Sequence, residues 1–283
     1  DARTSIRVAH LSFGTGTTPD GILSQLIAAK SRGVDVRVVL EGDVDDNADR
    51  VAQLEGGGVD VMLESTGRSM HAKLVVVDGR RVLVGSTNWT YASMRYNNEA
   101  NWSFDDTTLG GLYAGWVDGV RSAPGTQHTL PAGPFGPVVP IGAGQFLARV
   151  GPSIDAARER IWVTMYQVGW DDDSSSDVNR LVAKLAAAKA RAVDVRVVLE
   201  DSNWNDDLDA ANREAALELR DRDIDVRFDT EETTTHAKMV VADDTVSLYS
   251  GNWLYSGLEN NHEAGAIVAV GPLADQAAAY FLG

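Results

Sequence analysis

Apolar positions along this chain fall into short runs punctuated by turn residues, and the order of the runs repeats. Ser5 to Phe13 (SIRVAHLSF) predicts a buried strand. Ile22, Leu23, Leu26 and Ile27 then recur at helical spacing behind Asp20, an expected N-cap, with a stop near Gly33. Asp35 to Glu41 (DVRVVLE) predicts a strand, Asp46 to Leu54 a short helix ended by Gly56-Gly57-Gly58, and Asp60 to Leu63 another strand. Lys73 to Val77 and Arg81 to Val84 read as a hairpin joined at Asp78-Gly79. Glu99 to Phe104 follows as a strand and Thr107 to Arg121 as a helix.

The second half runs through the same order. Gln145 to Val150 is a short apolar segment, and a short helix is expected from Pro152 to Ala157, since proline suits a first helical turn. Arg160 to Gln167 matches the first strand, and Val178 to Arg191 reads as a helix. Val193 to Glu200 repeats Val34 to Glu41 residue for residue. Leu208 to Arg220 reads as a helix and Asp225 to Phe228 as a strand, with Glu263 to Val270 expected to close the sheet. Strands alternating with helices imply an α/β fold, and the internal match implies two similar halves about a pseudo-twofold axis. Residues 1–122 form the first half, the stretch 123–140 with Pro124, Pro131, Pro134, Pro137 and Pro140 a linker, and residues 141–283 the second half. Gln145 to Ala157 has no full counterpart before Ser5, so the first half is expected to have been clipped, or an earlier segment removed.

At 283 residues with 44% hydrophobic content, the chain can bury a sizeable core. No apolar run reaches the roughly 18 residues of a membrane span. The absence of cysteine excludes disulfides, thiolate catalysis and Cys-based zinc sites. The start at Asp1 rather than Met implies processing or trimming, and with the acidity it favours a secreted or extracellular setting. Net charge is -16, with 5 Lys against 20 Arg and 29 Asp. That balance argues against a large polyanionic partner, although an Asp-rich, Lys-poor surface also suits very salty water, where the Debye length falls to about 3 Å at 1 M salt.

The chemistry concentrates in one repeated stretch. Met70-His71-Ala72-Lys73-Leu74-Val75-Val76-Val77-Asp78 recurs as Thr235-His236-Ala237-Lys238-Met239-Val240-Val241-Ala242-Asp243, so both copies read H-x-K-x4-D. Each His and Lys stand two apart on a strand and project to one face. An ammonium beside an imidazole suits a phosphate, because Lys supplies fixed charge while His can attack phosphorus or move a proton. Downstream come Gly85-Ser86-Thr87-Asn88-Trp89 with Glu99, and Tyr249-Ser250-Gly251-Asn252-Trp253 with Glu263.

This doubled pattern resembles the phospholipase D superfamily, which includes phospholipases D, phosphatidyltransferases and phosphodiesterase nucleases. The repeat carrying the resemblance covers nearly the whole chain. The resemblance implies one active site at the interface of two α/β halves, each a mixed sheet flanked by helices. It makes His71 the nucleophile and His236 the general acid and base, with Lys73 and Lys238 as phosphate ligands. Asn88, Asn252, Ser86 and Ser250 become phosphate-binding residues, and Glu99 and Glu263 the carboxylates that hold each His in its tautomer. Asp78 and Asp243 are expected to hold the turn or a partner away from the phosphate. No cofactor and no metal enter this scheme, and with both motifs in one chain a monomer is expected.

Against these stand plainer roles. His10 and His128 read as structural, His262 as a residue lining the pocket beside Glu263, and Trp89 and Trp253 as packing beneath the site. Asp43, Asp45-Asp46, Asp171-Asp172-Asp173, Asp201 and Asp206-Asp207 read as solvated loops that rim the pocket. Three functions follow. A phosphodiesterase acting on a phospholipid head group, by hydrolysis or transfer and with transient contact at a membrane surface, accords with the acidity and with Trp170, Trp204 and Tyr255. A nuclease with the same site, and a non-catalytic phosphate-binding module, are the alternatives.

Overall fold

The computed structural model describes residues 2–133, 135–171 and 173–282, so that Asp1, the linker's Pro134, the acidic loop's Asp172 and Gly283 lie outside the described residues. The first half begins with β1 (Ser5–His10), α1 (Thr17–Ser31), β2 (Asp35–Glu41), α2 (Asp45–Gly56) and β3 (Asp60–Glu64). It continues with β4 (Lys73–Val77), β5 (Arg81–Gly85), α3 (Tyr91–Arg95), β6 (Asn101–Asp105) and α4 (Thr107–Ser122). The second half comprises β7 (Val138–Gly142), α5 (Phe146–Ala156), β8 (Arg160–Met165), α6 (Asp177–Ala190), β9 (Asp194–Leu199), α7 (Asp206–Arg220) and β10 (Asp225–Phe228). It ends with β11 (Lys238–Ala242), β12 (Thr245–Tyr249), a π-helical turn at Ser256–Asn260, β13 (Ala264–Ala269) and α8 (Gly271–Leu282).

Two mixed sheets result, ordered β3-β2-β1-β4-β5-β6 and β10-β9-β8-β11-β12-β13-β7. In each, the run of alternating strand and helix builds parallel pairs, such as Ser5 beside Asp35 and Arg160 beside Asp194. The motif strand then returns antiparallel, with Ile6 opposite Val77 and Ile161 opposite Ala242. The two halves therefore share one topology, with the motif strands β4 and β11 central in their sheets. Residues from each half complete the other's core. Ala264 joins the cluster of Leu74, Val76, Tyr113 and Trp116, while Ala100 and Trp102 pack on that of Met239, Val246 and Leu248. The Trp102 indole donates to Ala266 O at 3.1 Å and the Tyr113 hydroxyl to Gly265 O at 2.6 Å, binding sheet to sheet.

Four expectations need correction. Asp20 does not cap α1; Gly16 occupies that position, and the Asp20 carboxylate lies inside the first turn, 2.6 Å from the buried Arg50 guanidinium. Pro152 does not start a helix. It sits inside α5, where burial of Phe146, Leu147, Val150, Gly151 and Ile154 along one face outweighs the roughly 3 kcal/mol that an interior proline costs. The strand at Glu263 to Val270 is not the edge of its sheet, because β7 pairs outside it with Val138 opposite Val268. The proline-rich stretch thus ends as a strand, which Pro140 tolerates because it lies on an edge.

The halves also differ in what covers them. α5 lies over α6 and helps bury β8, β11 and β13. On the matching face of the first sheet a groove of about 580 Å³ remains, lined by Ile6, Ile22, Leu26, Val75, Val77 and Trp89.

Candidate active site

Each motif reaches the site by crossing to the other half. The His71 amide donates to His262 O at 3.1 Å and the His236 amide to Asn98 O at 2.9 Å, so each histidine is hung on the opposite half's backbone. Short bridges pair Met70 with His262 and Asn98 with Thr235. These bonds exist because the motif precedes its strand by two residues, leaving backbone groups that the home sheet does not satisfy.

The side chains cross too. His71 Nδ1 lies 2.8 Å from Glu263 Oε1, and His236 Nδ1 lies 3.0 Å from Glu99 Oε2. All four side chains are largely buried, the carboxylates at 1% and 7% exposure. Burial pushes the pKa of both histidines down, that of His236 to about 3 with help from the Lys238 charge. Burial alone would raise Glu99, but the His236 hydrogen bond and charge, with Lys238, hold it at about 2. Glu263 is likewise held low against burial by His71 and Lys73. Both histidines therefore rest as neutral imidazoles with Nδ1 turned to a carboxylate: the His236 Nδ1–H donates to Glu99, while His71 Nδ1 stands 2.8 Å from Glu263 as a close contact, and in both the carboxylate favours the proton on Nδ1. That tautomer leaves each Nε2 with a lone pair, and no protein group among the described residues bonds it.

Lys73 and Lys238 are 3% and 2% exposed, each donating through Nζ to the carbonyl of its own motif histidine at 2.5 Å. Burial lowers Lys73 to about 8 and carries Lys238 well below its ordinary value, with the facing Lys73 charge adding to the effect. The two lysines are thus buried close enough for the charge of Lys73 to act on Lys238, an arrangement suited to an anion. The Oδ1 atoms of Asn88 and Asn252 are also buried without a protein partner, so both carboxamides keep unused hydrogen-bonding capacity.

Ser86 and Ser250 do not fit the phosphate-binding role expected of them. The Ser86 hydroxyl donates to Glu99 Oε2 at 2.5 Å and accepts from the Ala100 amide; Ser250 does the same with Glu263 and Ala264. A hydroxyl has one proton to donate, and here it goes to the glutamate. Both serines act alike despite the shorter spacing in the second copy. Asp78 and Asp243 stand at the far ends of β4 and β11, at positive φ of 54° and 48°. They collect the amides of Arg3, Thr4 and Ser5, and of Arg158, Glu159 and Arg160, at 2.7–3.1 Å.

His10 is buried and stacks on Trp89 at 4.5 Å; burial and Lys73 lower its pKa to about 3. His128 bonds Ala123 O. His262 is fully buried with Nε2 on Pro124 O at 2.7 Å, so its backbone rather than its ring serves the site. Trp89 and Trp253 are buried. Asp45, Asp46, Asp206 and Asp207 fall in first turns of α2 and α7, where helix dipoles favour acids. Trp204 and Tyr255 are exposed at 63% and 64%, while the Arg222 guanidinium lies 5.1 Å from the Trp170 ring.

Three supporting features escaped the sequence reading. Glu41 accepts from Ser69 Oγ and Met70 N, and Glu200 from Thr235 N, so the glutamates ending β2 and β9 brace the residue before each histidine. Asn47 and Asn212 tie the loop after the first strand of each half to those glutamates' carbonyls. Tyr166 presents its ring 4.8 Å from that of His236 and 4.8 Å from Lys238 Nζ. The signal for the glutamates was present: a charge ending an apolar strand that repeats residue for residue.

Comparison with known proteins gives a consistent picture. The family model described as "Cardiolipin synthase, PLD-like domain" matches residues 1–119 and again 152–283. A mitochondrial cardiolipin hydrolase of Xenopus tropicalis is 38% identical over 80 residues, which is 28% of this chain and 38% of the relative. A phospholipase D of Rickettsia conorii is 29% identical over 93 residues, 32% of this chain and 46% of the relative. The chain thus spans less than half the length of these relatives. Among solved structures, phosphatidylserine synthase of Haemophilus influenzae Rd KW20 shares the fold at a TM-score of 0.75 and 12% identity, over 100% of this chain and 81% of that one.

Proposed function

The chain belongs to the phospholipase D superfamily, and on that premise we propose that it cleaves or transfers a phosphodiester of a phospholipid head group through a covalent phosphohistidine. The observation that carries the reading is the reciprocal pairing of His71 with Glu263 and His236 with Glu99. Two neutral imidazoles with free Nε2 atoms, flanked by two buried lysines, supply what in-line displacement at phosphorus needs.

In this reading the phosphoryl oxygens enter between Lys73 and Lys238, with Asn88 and Asn252 donating, and neutralise the facing ammonium charges. Nε2 of His71 attacks phosphorus and the P–O bond to the leaving alcohol breaks. His236, whose proton affinity rises once the anion is bound, takes up a proton from solvent at Nε2 and gives that proton to the alkoxide. His236 then takes a proton from water or from a second alcohol, whose oxygen attacks the phosphohistidine and releases His71. Proton transfers of this kind are worth about 10²- to 10⁴-fold. Glu263 and Glu99 keep both Nδ1 atoms protonated throughout. No metal is needed, because the cations are side chains.

The names of the relatives support a lipid, as do the net charge of -16 and the exposed Trp204 and Tyr255. Among the described residues no helix is long and apolar enough to cross a membrane. One chain supplies both motifs, which supports a monomer as the working unit.

A paired assay at low and multimolar salt, offering a labelled phosphatidyl substrate and a labelled single-stranded oligonucleotide, tests the proposal. Head-group release with the oligonucleotide intact is expected, together with an acid-labile phosphoenzyme that His71→Ala abolishes. Cleavage of the oligonucleotide alone would replace the reading with a nuclease.

A further inference from the structure

Equivalent faces of the two sheets are open in the first half and covered in the second. Ile6, Ile22, Leu26, Val75, Val77 and Trp89 line the open groove of about 580 Å³. Their counterparts along the repeat are Ile161, Leu181, Leu185, Val240, Ala242 and Trp253. All six counterparts are buried in one cluster with Phe146, Leu147, Val150 and Ile154 of α5. The same face is therefore apolar in both halves, and in one of them a helix lies on it. That helix is also anchored at its carboxyl end. Arg191 donates to Ile154 O at 3.1 Å and to Ala157 O at 3.3 Å, and Lys184 pairs with Asp155. In the first half Arg32 stands at the position of Arg191 and Gln25 at that of Lys184, and both line the groove. Arg32 is exposed, and among the described residues no hydrogen bond or ion pair holds its guanidinium.

We propose that this groove is the seat of an amphipathic helix supplied by a partner chain, laid as α5 lies in the second half, with its carboxyl end on Arg32. Two observations select a helix. The first is the bed itself, whose apolar residues match those under α5 one for one. The second is charge: the chain carries a net -16, yet the lining holds Arg32 and Arg81 and no Asp or Glu. The carboxyl end of a helix carries about half a negative charge on carbonyls that lack intrahelical partners, and a guanidinium there satisfies them as Arg191 does. The fitting partner presents apolar residues at i, i+1, i+4 and i+8, the spacing of Phe146, Leu147, Val150 and Ile154. Gln25 is uncharged where Lys184 is charged, so the partner needs no acid in its last turn, and Arg32 makes the polar contact. Trp89 lines the groove and follows Asn88 in the chain, so the seated helix packs on the residue beside the candidate active site.

The probe is a fluorescent peptide with the sequence of residues 145–158, added to the intact chain and followed by anisotropy. Saturable binding is expected with a Kd of about 1–100 μM, because ordering a short helix offsets much of the gain from apolar burial. Arg32→Ala should weaken it about tenfold, the size of a charge-assisted hydrogen bond. Gln25→Lys recreates the pairing of the second half and should tighten the peptide about two- to fivefold, but not a peptide carrying Asp155→Asn. Both substituted residues are exposed, so melting curves should match wild type. A peptide that merely displaced α5 in the second half would respond to neither substitution. Affinity unmoved by both would therefore overturn the seat, as would the absence of binding at about 1 mM peptide. Displacement of the peptide by phosphatidylglycerol vesicles would assign the groove to anionic lipid and overturn the helix. None of these readouts involves turnover, so the result stands apart from the phospholipid reading.

Discussion

Nδ1 of His236 stands 3.0 Å from Oε2 of Glu99, a carboxylate carried by the opposite half of the molecule, and His71 is paired with Glu263 in the same crossed manner. Neither half holds a complete histidine–glutamate pair. The site therefore exists only when the halves are docked, and docking and catalysis share the same bonds.

That crossing makes Glu99→Gln a sharp probe. An amide can donate to Nδ1, favouring the tautomer with its proton on Nε2, where the lone pair is needed. Turnover should fall about 10²- to 10⁴-fold while the fold persists, since Ser86 keeps a partner. Steady-state kinetics with a melting curve would check it, and near wild-type turnover would exclude the tautomer role. His71→Ala and His236→Ala should each abolish turnover with little loss of stability. Added chelator should leave wild-type turnover unchanged.

The lysine cradle predicts a pH limit on anion binding. Burial lowers Lys73 to about 8 and carries Lys238 well below its ordinary value, so the positive charge that Lys73 brings to the site is lost as pH rises through about 8. Sulfate, whose own charge is constant there, should bind more weakly at pH 9 than at pH 6.5. Calorimetric titration reads this directly. Equal affinity at the two values would mean that the lysines stay charged and are not the anion's ligands.

Asp243 predicts the opposite phenotype. Its carboxylate accepts three amides at the start of β8, at the far end of the motif strand from His236. Asp243→Ala strands those donors and places alanine at a φ of 48°. Stability should drop by about 1–3 kcal/mol, with kcat of the remaining folded protein unchanged. A large fall in kcat at unchanged stability would return this aspartate to the chemistry.

Much of this was legible in the sequence because the repeat doubled each signal. β2 and β4 fall where Asp35 to Glu41 and Lys73 to Val77 placed them, since apolar runs ended by turn residues leave few alternatives. Pro152 misled because local propensity was read without the burial of Phe146, Val150 and Ile154, which holds α5 together. The histidines and glutamates of the site could be picked out, but spacing along one dimension cannot say which glutamate serves which histidine. Ser86 and Ser250 were assigned to phosphate for the same reason: the competing acceptors, Glu99 and Glu263, sit thirteen residues away in sequence and one hydrogen bond away in space. Glu41 and Glu200 looked like ordinary strand ends, and only the fold shows that their carboxylates turn back to the motif.

Glu200 gives a prediction whose sign runs against that of Glu99. Burial and the neighbouring Asp229 carboxylate raise Glu200 to about 8, so in the folded chain it binds a proton that the unfolded chain, with its ordinary carboxyl, releases. The stability this contributes is complete below about 4.5, the ordinary glutamate value, and is lost as pH climbs through about 8. Glu99 behaves in reverse: its folded value near 2 contributes stability above about 4.5 that is lost as pH falls through 2. Glu200→Gln keeps an acceptor for the Thr235 amide but cannot ionise. Its melting temperature should match wild type at pH 5 and exceed it at pH 9, read by calorimetry at the two values. Because Thr235 precedes His236, the substitution should also preserve wild-type turnover further into the alkaline range, up to the limit set by the lysines. If the variant instead melts lower at pH 9, the Glu200 carboxylate is stabilised by its amide partner rather than strained by Asp229.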